Sequence, residues 1–325
     1  MTPEGSDRTK PGSAIPRRVA VLMGGPDAEH EVSLNSGSQV VAALERAGFE
    51  VRAEVVDRPS VAWLRELDAE VVFPVLHGPF GEGGPLQERL EEAGLAYVGS
   101  GPEASRLGMD KLASKAAVAA AGVPTPDAER LLPGLPSRIE PPAVVKPVAD
   151  GSSVGVRLCR TPAEFLAART SLEPVHAALM AERLIEGREL TIGLIAGEVL
   201  PIIEIVPAEG FYDYQAKYLR NDTRYVIDPP LDAAVAEAMR RHARAAWIAI
   251  GCRDLARIDF LLDAEGPWFL EVNTMPGMTD HSLVPKAAAE VGLPMEALCR
   301  LLVDQAAARS HAAGLQVQPA PLGGR

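Results

Sequence analysis

Cysteine is scarce in this chain: 3 in 325 residues, at Cys159, Cys252 and Cys299, with no C-x-x-C pair. An odd, dispersed set excludes a disulfide framework and a zinc knuckle, and it fits a reducing cytosol. Long apolar runs are missing too. None approaches the ~18 residues of a membrane span, and the apolar run after Arg17-Arg18 stops at Gly24-Gly25. Neither a membrane segment nor a twin-arginine export signal is therefore expected, and the expected location is cytoplasmic. Positive charge is in deficit, with 32 Lys+Arg against 44 Asp+Glu and a net of −12. Such a surface repels a polyanion, so nucleic acid is not an expected partner.

What is present is ordinary globular material, 47% hydrophobic and 23% charged, in a chain long enough for two or three packed units. Residues 1–16 and 311–325 are rich in Pro, Gly, Ser and charge without periodicity and read as flexible tails. The first third alternates β-type runs (Val19–Met23, Val51–Val56, Val71–Leu76) with an amphipathic stretch, Val32–Ala47, which predicts βαβ units and a parallel sheet. In the middle, a helical Lys111–Ala121 closed by Gly122 and Pro124 leads to β-type runs Ala143–Lys146 and Val154–Leu158. The last third has a helical Ala233–Ile250, then runs Ala256–Leu262 and Trp268–Asn273 joined by a turn that predicts a hairpin.

That hairpin carries chemistry. Side chains alternate along a strand, so Arg257 and Asp259 share one face, as do Glu271 and Asn273 on the return strand. Two carboxylates and an amide oxygen on one sheet face suit Mg²⁺ carrying a nucleotide phosphate. The alternative is a solvated face in which Arg257 simply pairs with the acids. A second segment, Val144-Val145-Lys146-Pro147 with Gly151-Ser152-Ser153-Val154-Gly155, offers a lysine at a strand end and glycine-rich backbone for phosphate oxygens, or only a turn. The same glycines satisfy G-x-S-x-G with Ser153 as a hydrolase nucleophile, but that elbow needs a following helix, and Val154, Val156 and Leu158 alternate as a strand does. There is no Gly-Lys dipeptide for a P-loop and no G-x-G-x-x-G after the first strand.

Four of the five tyrosines, Tyr212, Tyr214, Tyr218 and Tyr225, lie within fourteen residues around Phe211 and Lys217, in a chain only 5% aromatic. This is a satellite core or a lid that excludes water from a reacting site. His77 follows an apolar strand, at the carboxyl end where open α/β sheets bind ligands, and a structural histidine fits as well. Glu29 precedes a helical stretch, where a carboxylate also favours the helix dipole.

In order along the chain, Glu29-His30-Glu31-Val32-Ser33 after Gly24-Gly25, Leu76-His77-Gly78, Met109-Asp110-Lys111 and Val145-Lys146-Pro147 with Gly151–Gly155 resemble the D-alanine-D-alanine ligase family of the ATP-grasp superfamily. The likeness continues through Phe211-Tyr212-Asp213-Tyr214, Ala216-Lys217-Tyr218, Arg257-Ile258-Asp259, Glu271-Val272-Asn273-Thr274, Pro276-Gly277-Met278-Thr279 and His281-Ser282-Leu283. It covers about residues 18–306.

The resemblance implies an α/β (α+β) ATP-grasp fold: an N-terminal open parallel α/β domain over 17–100, a central ATP-grasp domain over 101–182 and a catalytic ATP-grasp domain over 183–308. It implies a homodimer that phosphorylates one D-alanine with ATP and lets the amine of a second attack the acyl phosphate, supplying D-alanyl-D-alanine for peptidoglycan. Lys111, Lys146 and Ser153 would hold phosphates, and Asp259, Glu271 and Asn273 two Mg²⁺ ions, with Mn²⁺ as the alternative metal. Glu182, the backbone of Arg183 and Leu184, Glu189 and Phe211 would receive the nucleotide, with Lys217 on the transferred phosphoryl group. Glu29 would pair with the first D-alanine's ammonium, and His77 would line the substrate site. Arg257 with the Gly277 amide would stabilise the oxyanion. Ser282 and the Leu283 amide would take the second carboxylate, while Ser152, Tyr218 and Glu29 would close the site. The family's usual G-E-D-G-T is here Gly81-Glu82-Gly83-Gly84-Pro85, its Glu-Lys pair at the adenine hinge is Glu182-Arg183, and Gln215 replaces a frequent lid glutamate. Other readings are a specialised ligase joining D-alanine to another D-amino or D-hydroxy acid, a serine hydrolase, and a non-catalytic nucleotide-binding protein.

Overall fold

The computed structural model describes residues 18–151, 154–207 and 223–312. Strand β1 (Arg18–Gly24) is buried along all but its first residue and lies between β2 (Glu50–Val56) and β3 (Val71–Pro74), both parallel to it. A strand covered on both faces reads as a continuous apolar run, and that is what Val19–Met23 is. Helix His30–Arg46 covers one face, and a layer holding Leu64, Leu86 and Leu90 covers the other. Gly37 brings that helix close, because a Cβ there would stand 2.6 Å from the Cβ of Met23. The third strand ends at Pro74, two residues before the end of the apolar run. Val75 still donates to the Leu22 carbonyl at 2.8 Å, and the chain then leaves the sheet at His77.

A second sheet is antiparallel, in the order β4-β7-β5-β6, built from β4 (Ala128–Leu131), β5 (Ala143–Pro147), β6 (Arg157–Cys159) and β7 (Leu179–Arg183). The strand expected over Val154–Leu158 is shorter and later. Val154 and Gly155 form a turn with Gly155 at φ +71, and pairing with β5 starts only at Arg157. A strand rather than a helix still follows the glycine-rich loop, so the hydrolase elbow is not formed.

The third sheet runs β10-β9-β8-β11-β12, with β8 (Arg188–Ile195), β9 (Glu198–Val206), β10 (Arg224–Ile227), β11 (Leu255–Leu262) and β12 (Pro267–Asn273). Helix Ala233–Ile250 has the bounds read from the sequence: the Asp232 side chain caps it through Ala234 N at 2.8 Å, and Gly251 ends it in the left-handed region. Its apolar stripe meets the sheet around Phe260 and Phe269, whose rings pack edge to face at 6.4 Å. Helices Pro102–Met109 and Lys111–Ala120 join the same core through Ala104 and Val118. Helix Leu283–Glu290 packs on β8 and β9, and the closing helix Met295–Ala312 returns to the first sheet at β3 and packs with His30–Arg46. Arg309 pairs with buried Asp254, which also accepts from Gly99 N at 2.7 Å, so the end of the chain clasps the first unit to the third.

Candidate active site

The hairpin forms as read. Asp259 stands directly opposite Glu271, and Arg257 opposite Asn273. A register irregularity after Asp259 shifts the pairing beyond it, so the regular ladder stops where the carboxylates meet. The pairing of Arg257 with the acids, left open by the sequence, is made: its Nε lies 2.9 Å from Asp259 Oδ1 and its Nη2 2.8 Å from Oδ2. Thr191, facing Asp259 from β8, donates to the same carboxylate at 2.5 Å. Lys111 reaches Glu271 at 3.3 Å and gives a proton to the Asp150 carbonyl at 2.7 Å, tying the start of the glycine-rich loop to the hairpin. Asn273 Oδ1 accepts from Met275 N at 3.0 Å.

Lys111, Asp150, Arg257, Asp259, Glu271 and Asn273 line a cavity of about 840 Å³. The same cavity receives Glu29, His77, Glu189, Gly277, Ser282 and Leu283. Glu29 is buried at the start of helix His30–Arg46, and its Oε1 would stand 2.7 Å from a Cβ on Gly151, so the glycine-rich loop passes close over this carboxylate. Ser282 Oγ accepts from Thr279 N at 3.0 Å, and a Cβ on Gly277 would lie 2.9 Å from that oxygen. The helix Leu283–Glu290 begins there, with Ser282, Leu283 and Lys286 in the cavity lining, and a helix start suits a carboxylate.

Lys146, Glu182, Arg183 and Leu184 stand outside this lining. Lys146 and Glu182 are diagonal neighbours on β5 and β7, both buried, with Nζ to Oε1 at 2.5 Å. The Arg183 guanidinium stacks on Trp268 at 4.5 Å, and its amide donates to the Asp127 carbonyl at 2.9 Å. Leu184 N donates to Pro142 O at 3.2 Å. Ser152, Ser153, Phe211, Lys217 and Tyr218 lie outside the described residues, as does Gln215.

Three groups were not singled out from the sequence. Glu82, beside His77 in the cavity wall, accepts from Gly78 N at 3.1 Å, and burial followed by the charge of Glu29 pushes its carboxyl up to about 8. Lys115 reaches Glu182 at 3.0 Å, and burial lowers its ammonium to about 8. Its spacing of four from Lys111, on one face of a helix, was the available signal. Thr191 had none, because its partner is 68 residues away. The departure at Gly83 also has a cause in the packing: a Cβ there would fall 2.3 Å from the Pro79 carbonyl oxygen, so the residue's side is closed to any side chain in this arrangement.

Among the described residues no three His, Cys, Asp or Glu gather as a metal cluster. The hairpin's donors fit a different kind of site, two carboxylates and one amide oxygen, whose sphere is completed by phosphate oxygens and water, as Mg²⁺ prefers. Both carboxylates already face cations, Arg257 on Asp259 and Lys111 on Glu271, so the pocket is built to hold positive charge.

Residues 126–304 match the family model described as the D-ala D-ala ligase C-terminus. The chain is 42% identical over 308 residues to the D-alanine–D-alanine ligase of Chromohalobacter salexigens, covering 92% of this chain and 98% of that enzyme. It superposes on the D-alanine–D-alanine ligase of Bacillus anthracis complexed with ATP with a TM-score of 0.80, at 31% identity over 91% of this chain and 99% of the other. It also superposes on the VanG D-Ala:D-Ser ligase of Enterococcus faecalis with a TM-score of 0.77, at 26% identity over 89% and 99%. With the hairpin acids, the lysines and the cavity in one arrangement and relatives along nearly its whole length, the chain belongs to the D-alanine–D-alanine ligase family and has its ATP-grasp fold.

Proposed function

We propose that the protein joins two D-alanine molecules at the expense of ATP, forming ADP, phosphate and D-alanyl-D-alanine for the cell wall, through a D-alanyl phosphate. The observation that carries the chemistry is the Asp259–Glu271 pair, opposed across β11 and β12 on the cavity wall with a cation already against each. Phosphoryl transfer needs positioning and charge neutralisation more than covalent help; Lys111 and Arg257 bring positive charge here, and the carboxylates would hold the metal ions that bring more. Asp259, Glu271 and Asn273 would hold two Mg²⁺ ions, or Mn²⁺, which supply charge neutralisation at the phosphates when bound.

The chain's own groups perform the remaining work. Lys111 and Lys146 bind phosphate oxygens, a role that the family resemblance extends to Ser153. Glu29 takes the ammonium of the first D-alanine, in a wall it shares with His77 and with Glu82, whose carboxyl burial pushes up to about 8. Arg257 and the Gly277 amide bind the oxyanion that forms when the second amine attacks. Ser282 and the Leu283 amide hold the second carboxylate at the helix start. By the family resemblance, Phe211, Lys217 and Tyr218 would cover the nucleotide, and Ser152 would join Tyr218 and Glu29. Glu182, Arg183, Leu184 and Glu189 border the nucleotide.

We assign the three units to 17–100, 101–182 and 183–308, and expect a cytoplasmic homodimer; among the described residues no helix is long and apolar enough to cross a membrane. The test is phosphate release with ATP, Mg²⁺ and a panel of D-amino and D-hydroxy acids. D-alanine should serve as both substrates. Release that requires D-serine or D-lactate as second substrate would move the assignment to a specialised ligase, and release independent of any D-amino acid would reject it.

A further inference from the structure

Glu182 is the most enclosed acid near the nucleotide region, 3% exposed, and it faces two lysines at once. Lys146 reaches it at 2.5 Å from β5, and Lys115 reaches it at 3.0 Å from helix Lys111–Ala120. The two lysines differ in how they are held. Lys115 spends its remaining protons on Thr125 Oγ1 at 3.0 Å and on the Phe269 carbonyl at 3.4 Å, so three separate elements fix its ammonium. Thr125 Oγ1 itself donates to that carbonyl at 3.0 Å, which closes the cage. Lys146 stands one residue from the end of its strand, where the chain turns toward the glycine-rich loop.

A lysine that serves phosphate must turn at least part of its ammonium away from its resting partner. Leaving a carboxylate this deeply enclosed without a counter-charge is strongly unfavourable, far more so than the loss of an exposed pair. The fixed lysine removes that obstacle.

We propose that Lys115 is a positioning residue that keeps Glu182 neutralised, so that Lys146 can turn to a nucleotide phosphate without stranding a buried charge. The proposal rests on the reading of Lys146 as a phosphate ligand. It gives Glu182 a role as the resting seat of Lys146. It also explains why an acid at the edge of the nucleotide region carries two lysines where one would balance it.

The experiment measures binding of the non-hydrolysable analogue AMP-PNP with Mg²⁺ to the full chain by calorimetry, beside steady-state KM values. Lys115→Met leaves Glu182 only Lys146, so AMP-PNP should bind about tenfold or more weakly, while KM for D-alanine stays within about twofold. Adding Glu182→Gln removes the stranded charge, and Lys115→Met/Glu182→Gln should bind AMP-PNP as Glu182→Gln alone does. A merely structural lysine would lower thermal stability without that recovery. Wild-type affinity in Lys115→Met overturns the proposal. So does a double variant about tenfold weaker than Glu182→Gln alone, a comparison that holds even where Lys115→Met does not fold. Unchanged AMP-PNP binding in Lys146→Met would instead reject the phosphate reading on which the proposal stands.

Discussion

His77 donates its Nδ1 hydrogen to the Met275 carbonyl at 3.1 Å, which ties the end of the first sheet to the loop that leaves the β11–β12 hairpin. A carbonyl only accepts, so the neutral ring carries its proton on Nδ1 and presents a bare Nε2, buried in the cavity wall without a hydrogen-bond partner among the described residues. The histidine thus joins the two units whose facing sides make the pocket.

Burial lowers His77 to about 4; the Met275 bond opposes this and the Arg257 charge adds to it. The unfolded chain takes up this proton near the ordinary histidine value of 6.5, and the folded one only near 4. Stability from the neutral ring is therefore present above pH 6.5 and lost as pH falls through 4, on the order of 3 kcal/mol. His77→Gln should flatten the fall in urea midpoint between pH 7 and pH 4. An unchanged slope would mean that the ring is protonated in the folded state.

Glu82 has the opposite sign. Its carboxyl keeps its proton up to about 8, while the unfolded chain releases it near 4.5. Folding therefore loses stability as pH rises from 4.5 through 8, by on the order of 5 kcal/mol. Glu82→Gln, a neutral isostere, should match wild type near pH 5 and exceed its denaturant midpoint at pH 9. Equal midpoints at pH 9 would show that Glu82 is ionised in the native protein.

Glu271→Gln should lower kcat by roughly a hundredfold or more while KM for D-alanine changes little, because it removes charge where the transferred phosphoryl group is neutralised. Turnover near wild type at ordinary Mg²⁺ concentration counts against Glu271 as a metal ligand.

Phe260 is fully buried against Phe269 beneath this hairpin. Phe260→Ala should cost about 3–5 kcal/mol in the urea unfolding free energy. A loss under about 1 kcal/mol would mean that the core closes over the gap.

Local pattern was enough for much of the architecture. The helix over 233–250 was legible to the residue because Asp232 and Gly251 punctuate a 3.6-residue apolar period. The hairpin was legible because alternation and the Gly266-Pro267 turn are local features. The run Val154–Leu158 misled, because alternation says which residues could pair and not where a partner strand begins; β5 offers pairing only from Arg157 onward.

The sequence by itself determined the chemical kinds and their faces: Asp259 beside Arg257 on one strand, Glu271 beside Asn273 on the next, a lysine before a glycine-rich turn, an ordered set of motifs that marks a family. These follow from spacing of two along a strand and from residue type, which need no neighbour. Only the tertiary structure decided which charges meet. It set Lys111 on Glu271, enclosed Glu82 until its carboxyl is pushed up to about 8, and put Lys115 and Lys146 on a single carboxylate. Those outcomes depend on distance and desolvation between elements tens to more than a hundred residues apart in the chain, and neither quantity is written in any local window.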